Sequence, residues 1–234
     1  QAEFFKDYIC DVGTLLGAAA DQGKNILFEA QLGALRDIDY GIYPFTSSSN
    51  TIASYAPIGA GIPGRALDNV VGVMKAYSTC VGEGPFAAEK AMGEAWNEKL
   101  RESGGEFGAA TGRPRRVGPF DAVASRYGIR CQKAQDIALT KLDVLGAFDK
   151  IPVITGYRLH GVLLDSFPTD SRLEEAEPVI EELPGWGCDI SGCRSWKELP
   201  ENARKYVCTL EKLVDHPIYL VSTGAERDAY LLRE

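Results

Sequence analysis

The sequence has few of the residues that build metal centres. It contains two histidines, His160 and His216, and six cysteines at scattered positions. The one close pair, Cys188 and Cys193, lacks the C-x-x-C spacing and the histidine partners of a zinc site. A structural metal centre therefore has few ligands available, and we expect reduced thiols in a cytoplasmic protein.

Long apolar runs and a basic charge balance are also missing. No stretch of about 18 uncharged apolar residues occurs, which excludes a membrane span, and we find no signal-peptide pattern. The chain carries 25 Lys and Arg against 33 Asp and Glu, a net charge of -8. Because attraction to phosphates needs a basic surface, this balance argues against general nucleic-acid binding.

Helical and strand patterns alternate along the 234 residues. An amphipathic run from Phe5 to Leu16 predicts a first helix that stops at Gly23. The sequence opens on Gln1 rather than Met and leads directly into this run, which suggests the middle of a longer protein. Short apolar runs predict strands at 25–30, 69–77, 136–145, 150–159 and 216–222. We expect one α/β domain over residues 1–234, a mostly parallel sheet flanked by helices, with ligands beyond the strands' carboxyl ends.

A basic run interrupts this acidic chain at residues 110–116, which read ATGRPRR. Guanidinium groups bind carboxylates and phosphates through paired hydrogen bonds, and a proline lowers the entropy lost when a loop is ordered. The run therefore predicts a local anion site. The alternative is a solvated surface run whose arginines pair with some of the 33 acidic residues.

Two further motifs follow predicted strands. In TKLD, residues 140–143, the carboxylate of Asp143 can accept hydrogen bonds from the N1-H and 2-amino groups of guanine, while the stem of Lys141 packs along the ring. The small polar residues 222–224 follow the last predicted strand and can line a nucleotide pocket. Each motif alone also fits an ordinary strand end or turn.

Two loops are rich in small or hydroxyl-bearing residues. VGEGPF, residues 81–86, permits a close approach of backbone to a ligand. YPFTSSSN, residues 43–50, offers hydroxyl groups that can bind phosphate oxygens without positive charge. The serine run fits equally well a cap for a helix that begins near Thr51.

In their order along the chain, these stretches resemble the C-terminal half of the adenylosuccinate synthetase family. The likeness spans nearly the whole chain, and the arginine run and the Lys-x-Asp strand are highly specific in combination. Seven blocks carry it: LFEAQLGALRDIDYGIYPFTSSSN, KAYSTCVGEGPF, GEFGAATGRPRRVGPFDAVASRYG, LTKLDVL, GYRL, EELPGW and VSTGAERD. The resemblance implies a P-loop NTPase-like α/β fold, of which this chain would be the C-terminal part.

The family's reaction is what the resemblance implies for function. That family couples GTP hydrolysis to the joining of IMP and L-aspartate, giving adenylosuccinate on the path to AMP. GTP phosphorylates the purine 6-oxygen of IMP, the aspartate amine displaces that phosphate, and Mg²⁺ takes part. The resemblance also suggests a homodimer. A non-catalytic guanine-nucleotide-binding domain is the alternative.

The resemblance implies three sets of contacts, carried over residue by residue. The IMP contacts would be Gln31, Ser47, Val81 and Arg113. The L-aspartate contacts would be Ala109, Ala110, Thr111, Gly112, Arg113, Pro114 and Arg115. The GTP contacts would be Arg115, Lys141, Leu142, Asp143, Ser222, Thr223 and Gly224.

The chain departs from the common family pattern at four places. AQLG at residues 30–33 replaces Gly-Ala-Gln-Gly, so the position of the IMP-contacting glutamine is open by one residue. Arg36 stands where an aliphatic residue is usual, Ala110 replaces a threonine, and Ala225 replaces a proline. The loss of the threonine hydroxyl affects the aspartate contacts most directly.

The family's phosphate loop and catalytic histidine lie in its N-terminal half. No G-x-x-x-x-G-K string occurs in this chain, and neither histidine has a context like the catalytic one. Phosphoryl transfer depends on such positioning and charge stabilisation. We therefore expect the catalytic residues outside this chain and no turnover by the chain alone.

Overall fold

In the computed structural model, which describes residues 2–233, helices and strands alternate through most of the chain. The helices are α1 (Ala2–Phe5), α2 (Val12–Asp21), α3 (Ala56–Gly59), α4 (Ala87–Ala91), α5 (Glu94–Gly104), α6 (Ala122–Gln132), α7 (Arg172–Glu175) and α8 (Glu201–Val214). The strands are β1 (Val71–Lys75), β2 (Ser78–Cys80), β3 (Arg116–Gly118), β4 (Phe120–Asp121), β5 (Asp136–Thr140), β6 (Lys150–Leu159), β7 (Val162–Leu163), β8 (Glu177–Pro184), β9 (Leu220–Ser222) and β10 (Tyr230–Leu232).

The main sheet has the strand order β1-β5-β9-β10 and is parallel except for β10. Lys75 pairs with Thr140 and Leu139 pairs with Val221, so three strands end at the same edge. This confirms the predicted α/β class with a mostly parallel sheet. The carboxyl ends of these strands are where such sheets bind ligands.

A second sheet is built around the long strand β6. Strand β4 runs parallel to β6, whereas β7 and β8 are antiparallel to it. These two antiparallel partners are an exception to the mostly parallel arrangement predicted for the chain. His160 and Gly161 both have positive φ, 50° and 82°, which is typical of the tight hairpin turns that return a chain antiparallel.

Helix α8 covers the main sheet with one apolar face. Tyr206, Val207, Leu210 and Val214 recur at helical spacing and are all buried. The hydroxyl of Tyr206 donates to the carbonyl of Ala76 at 2.6 Å, directly after β1. The packing of α8 therefore holds the end of β1 in place.

The N-terminal segment differs from its predicted structure. The expected helix from Phe5 to Gly23 is divided, and α2 begins anew where the side chain of Asp11 accepts a hydrogen bond from the Thr14 N–H at 3.0 Å. The strand predicted at 25–30 is wrong: the stretch belongs to no sheet, and Leu27 is 94% exposed. Since a strand obtains its hydrogen bonds from a neighbour, an apolar run without one in residues 2–233 forms no ladder.

The helices are also informative about membranes. Among residues 2–233, none of them combines the length and the apolar character that a crossing requires.

Candidate functional site

The end of helix α5 places an acidic side chain inside the protein. Gly105 has a φ of 60°, a left-handed conformation that suits glycine and ends the helix. The N–H of Glu106 then donates to the carbonyl of Arg101 at 2.9 Å, and Glu106 is fully buried. A carboxylate is thereby brought to the edge where β1 and β5 end.

Four donor-bearing side chains surround the Glu106 carboxylate. Its Oε1 accepts from Lys75 Nζ at 2.8 Å and from the Tyr77 hydroxyl at 2.6 Å. Its Oε2 accepts from a terminal nitrogen of Arg115 at 2.8 Å. The ammonium of Lys141 lies 3.5 Å from Oε1. We call these five residues the Glu106 cluster.

The Glu106 cluster is charged at neutral pH. Burial by itself raises the pKa of the Glu106 carboxyl, but hydrogen bonds from Lys75 and Tyr77 outweigh it, and the pKa falls to about 2. Burial lowers the pKa of Lys75, although Glu106 opposes that effect. Burial and the Glu106 charge raise the pKa of Tyr77, which keeps its hydroxyl a donor.

Residues 109–116, which we call the arginine loop, extend from this cluster. The Gly108 N–H donates to the Arg113 carbonyl at 2.8 Å, and the Gly112 N–H donates to the Gly108 carbonyl at 2.7 Å. The Thr111 hydroxyl oxygen accepts from the Arg113 N–H at 3.3 Å. Residues 109–114 are exposed, so the predicted aspartate contacts up to Pro114 lie together in one closed, accessible turn.

The three arginines of this loop have different surroundings. Arg115 pairs with the buried Glu106, while Arg116 pairs with Glu89 at 2.6 Å and donates to the Gly84 carbonyl at 2.8 Å. The guanidinium of Arg113 has no acceptor within residues 2–233. Two arginines are thus paired with acidic residues, and the third is available to an anionic ligand.

The Lys-x-Asp motif lies at the exit of β5. Lys141 has a φ of 60°, and its ammonium donates to the Gly104 carbonyl at 2.6 Å. Leu142 is fully buried between the two polar residues. Asp143 is half-buried, burial raises its pKa, and its carboxylate accepts no side-chain donor from the described part of the chain. A half-buried carboxylate without a side-chain donor is suited to binding N–H donors of a ligand.

Residues 222–224 lie beside this motif at the exit of β9. The Ser222 hydroxyl donates to the Gly224 carbonyl at 3.0 Å. Thr223 is buried, and its hydroxyl donates to the Cys193 carbonyl at 3.1 Å. The threonine hydroxyl therefore stabilises the turn itself, and the predicted guanine-binding residues share one edge of the sheet.

The predicted IMP residues are spread over irregular backbone. Gln31 is exposed, next to Leu32, which has a positive φ of 75°. The Ser47 hydroxyl donates to the Ser49 carbonyl at 3.2 Å and accepts from the Ser49 N–H at 3.1 Å. Ser47 therefore closes its own turn, and the helical turn at 53–55 has no side-chain cap, contrary to the capping alternative.

Sequence reasoning missed the role of Arg36 in this region. Its guanidinium donates to the carbonyls of Phe45 at 2.5 Å, Val81 at 3.1 Å and Glu83 at 3.0 Å. Its own carbonyl accepts from the Ser47 N–H at 2.8 Å. One side chain thus joins the loops that carry Ser47 and Val81. Its departure from the usual aliphatic residue was the available signal.

Glu106 was also missed, because a single glutamate before a loop has no motif of its own.

Other features lie apart from these residues. Two clefts of about 340 and 420 Å³ share Tyr127 and Arg130, and neither contains a predicted site residue. The strand exits remain the better candidate, because the charged side chains converge there. In residues 2–233, no group of three or more His, Cys, Asp or Glu is arranged to hold a metal ion.

Comparisons with known proteins point to one family. A family model described as Adenylosuccinate synthetase matches residues 1–231. Curated proteins of that name from Trichlorobacter lovleyi and Pelobacter propionicus are 50% and 47% identical over 99% of this chain and 54% of each relative. The solved, fully ligated adenylosuccinate synthetase from Plasmodium falciparum is 36% identical with a TM-score of 0.92, over 98% of this chain and 55% of that one. The chain spans about half the length of the curated relatives it matches.

Proposed function

The chain belongs to the adenylosuccinate synthetase family, and from this premise we propose that it carries part of the site of a GTP-dependent ligase. The reaction joins IMP and L-aspartate into adenylosuccinate on the path to AMP. One observation supports this best. The exposed turn with the unpaired Arg113 guanidinium, and the Asp143 carboxylate without a side-chain donor, both extend from elements that meet at Glu106.

The guanine base would bind at the exits of β5 and β9. The carboxylate of Asp143 would accept hydrogen bonds from the base N1-H and 2-amino groups, and the stem of Lys141 would pack along the ring. The remaining contacts would come from Leu142, Ser222, Thr223 and Gly224. Because the Thr223 hydroxyl is already engaged with Cys193, its contribution would come from the backbone.

The arginine loop would take L-aspartate. Arg113 would bind a carboxylate through its planar fork, assisted by Thr111 and by backbone groups of the turn. Arg115 would reach toward the GTP phosphates from its place beside Glu106. The remaining aspartate contacts would be Ala109, Ala110, Gly112 and Pro114.

IMP would lie against the loops joined by Arg36. Its contacts would be Gln31, Ser47, Val81 and Arg113. In the proposed chemistry, GTP phosphorylates the 6-oxygen of IMP, and the amine of aspartate then displaces the phosphate. This chain's residues bind and orient the three substrates, and the groups that transfer protons would come from outside it.

Mg²⁺ accompanies GTP in this family. The described residues offer no cluster of ligands for it, and the half-buried carboxylate of Asp143 is assigned to the base. We therefore assign no step through the metal to this chain. Residues 1–234 as one domain, a homodimeric assembly and a cytoplasmic location complete the proposal.

A chimeric enzyme tests this function directly. The chain would replace the matched segment of the Trichlorobacter lovleyi relative, and product would be measured with IMP, L-aspartate and GTP. We expect adenylosuccinate with GTP, much less with ATP, and none from the chain alone. A correctly folded chimera that forms no product would contradict the proposal.

The alternative is a non-catalytic domain that binds guanine nucleotides. This alternative is motivated by the sequence, which has the guanine-binding motif with Lys141 and Asp143 but no G-x-x-x-x-G-K string. Calorimetric titration of the chimera separates the two functions. GTP binding with no product and no effect of L-aspartate would support the binding domain.

A further inference from the structure

We propose that Glu106 is a positioning residue that couples the aspartate-binding loop to the guanine site. The inference rests on the proposed function, because those two sites belong to it. Two contacts carry it: the same buried carboxylate is bonded to Arg115 of the arginine loop and lies 3.5 Å from the ammonium of Lys141.

The backbone of Glu106 holds the arginine loop first. Its carbonyl accepts from the Arg115 N–H at 2.9 Å, and Arg101 Nε donates to the Arg115 carbonyl at 3.0 Å. The side-chain bond from Arg115 to Glu106 Oε2 adds a third contact. Arg115 is thus held through backbone and side-chain contacts by Arg101 of helix α5 and by Glu106, two residues after the helix ends.

The guanine site is attached to the same helix end. The ammonium of Lys141 donates to the carbonyl of Gly104, where the helix dipole favours a cation. Gly104 precedes Glu106 by two residues. A shift of this helix end would therefore move the Lys141 ammonium and the Arg115 guanidinium together.

The charge of Glu106 is what keeps these cations close to each other. Lys75, Arg115 and Lys141 all lie within 3.5 Å of its two oxygens. Without the carboxylate, three positive groups would face one another at a partly buried site, where repulsion is weakly screened. They would separate, and both binding surfaces would lose their arrangement.

Glu106→Gln in the chimeric enzyme tests the coupling, since glutamine keeps the shape and removes the charge. We expect the KM values for L-aspartate and for GTP to rise together, each by about tenfold. The KM for IMP should rise by less, because Arg113 is the one proposed IMP contact that lies in the arginine loop. Glu106→Asp should restore part of both losses. Glu102→Gln is the matched control. Glu102 lies in α5, is exposed, and its side chain makes no hydrogen bond or ion pair in the described residues, so all three KM values should stay unchanged.

Tyr77→Phe provides a second test that does not depend on a buried charge change. It removes one donor to Glu106 and leaves the ring in place. We expect both KM values to rise by the same smaller factor, about two- to fivefold. If Glu106→Gln shows no cooperative thermal melt, the KM values of Tyr77→Phe decide whether the two sites are coupled.

The outcomes separate the inference from the function. A wild-type chimera without product overturns both. If the wild type is active, the coupling is overturned when the KM values of Glu106→Gln for L-aspartate and GTP stay within twofold of the wild-type values, or when only one of them rises. An equal rise for all three substrates with a lower melting midpoint would show a purely structural role and would overturn it too.

Discussion

Two regions of the candidate site are held together by different means. The Glu106 cluster is supported by strand ends and a helix end, and its central carboxylate is completely buried. The stretch from residue 25 to 50 has no strand and only one short helical turn, at Ala34–Arg36. There, a single arginine joins the loops.

The difference shows what must replace regular structure. Asp37 is buried, and its carboxylate accepts from the backbone N–H groups of Asp39 at 2.9 Å and Tyr40 at 3.0 Å. Burial raises the pKa of Asp37, but these and other backbone hydrogen bonds outweigh it and the pKa is lowered. Side chains here satisfy the backbone groups that a sheet satisfies elsewhere. We therefore expect changes in the two regions to affect different substrates.

The largest expected effect is on base choice, in Asp143→Asn of the chimeric enzyme. An asparagine amide can donate to the 2-carbonyl of xanthine, whereas guanine offers an amino group there. The preference for GTP over XTP should fall by about 10³-fold, with the KM values for IMP and L-aspartate nearly unchanged. Competition between nucleoside triphosphates measures it, and a retained preference for GTP would remove Asp143 from the base-reading role.

The second effect is on stability against acid. The pKa of Glu106 is lowered from its ordinary value of 4.5 to about 2, so the unfolded state binds more protons between these pH values and stability falls as the pH falls. Lys75, Tyr77, Arg115 and Lys141 face this carboxylate. Between pH 4.5 and pH 2, the free energy of unfolding of the wild-type chimera should fall by about 3 kcal/mol more than that of Glu106→Gln.

Urea unfolding at a series of pH values measures that difference. Glu102→Gln, at an exposed position, should follow the wild type throughout. Parallel curves for wild type and Glu106→Gln would mean that the carboxylate is not stabilised as the contacts indicate.

The third effect tests the irregular region. Arg36→Leu installs the type of residue usual in the family and removes the donors to Phe45, Val81 and Glu83. We expect the KM for IMP to rise by about 20-fold, since buried or partly buried acceptors lose charged donors, while the KM for GTP stays within twofold. Arg172→Leu, a surface pair with Asp170, is the control. An equal rise in the KM for GTP would show that the irregular stretch at 25–50 and the Glu106 cluster do not act on different substrates.

The smallest effect concerns the exposed turn. Arg113→Lys keeps the positive charge and loses the planar fork, so the KM for L-aspartate should rise by about tenfold. Folding should be unaffected, because Arg113 is exposed and its side chain makes no hydrogen bond or ion pair within residues 2–233. Steady-state kinetics with varied L-aspartate measures this, and an unchanged value would indicate a solvated surface role.

Local patterns predicted much of the fold around the strand exits. The β-branched run at 69–77 is confirmed as β1. The strand at 25–30 is wrong, because its formation depends on a partner that local sequence does not contain. Strand β10 was not predicted, since three residues are too few to show a period.

The sequence by itself determined the α/β class, the position of the arginine run and the order of the motifs, because composition, periodicity and spacing are local properties. Only the tertiary structure decided which arginine is unpaired, and which acidic residue lies between Lys75, Arg115 and Lys141. Those contacts join residues that are distant in sequence, as Arg36 also does across 45 positions to Val81. A charge is paired or left free according to what the fold brings within hydrogen-bonding distance, and no local pattern contains that information.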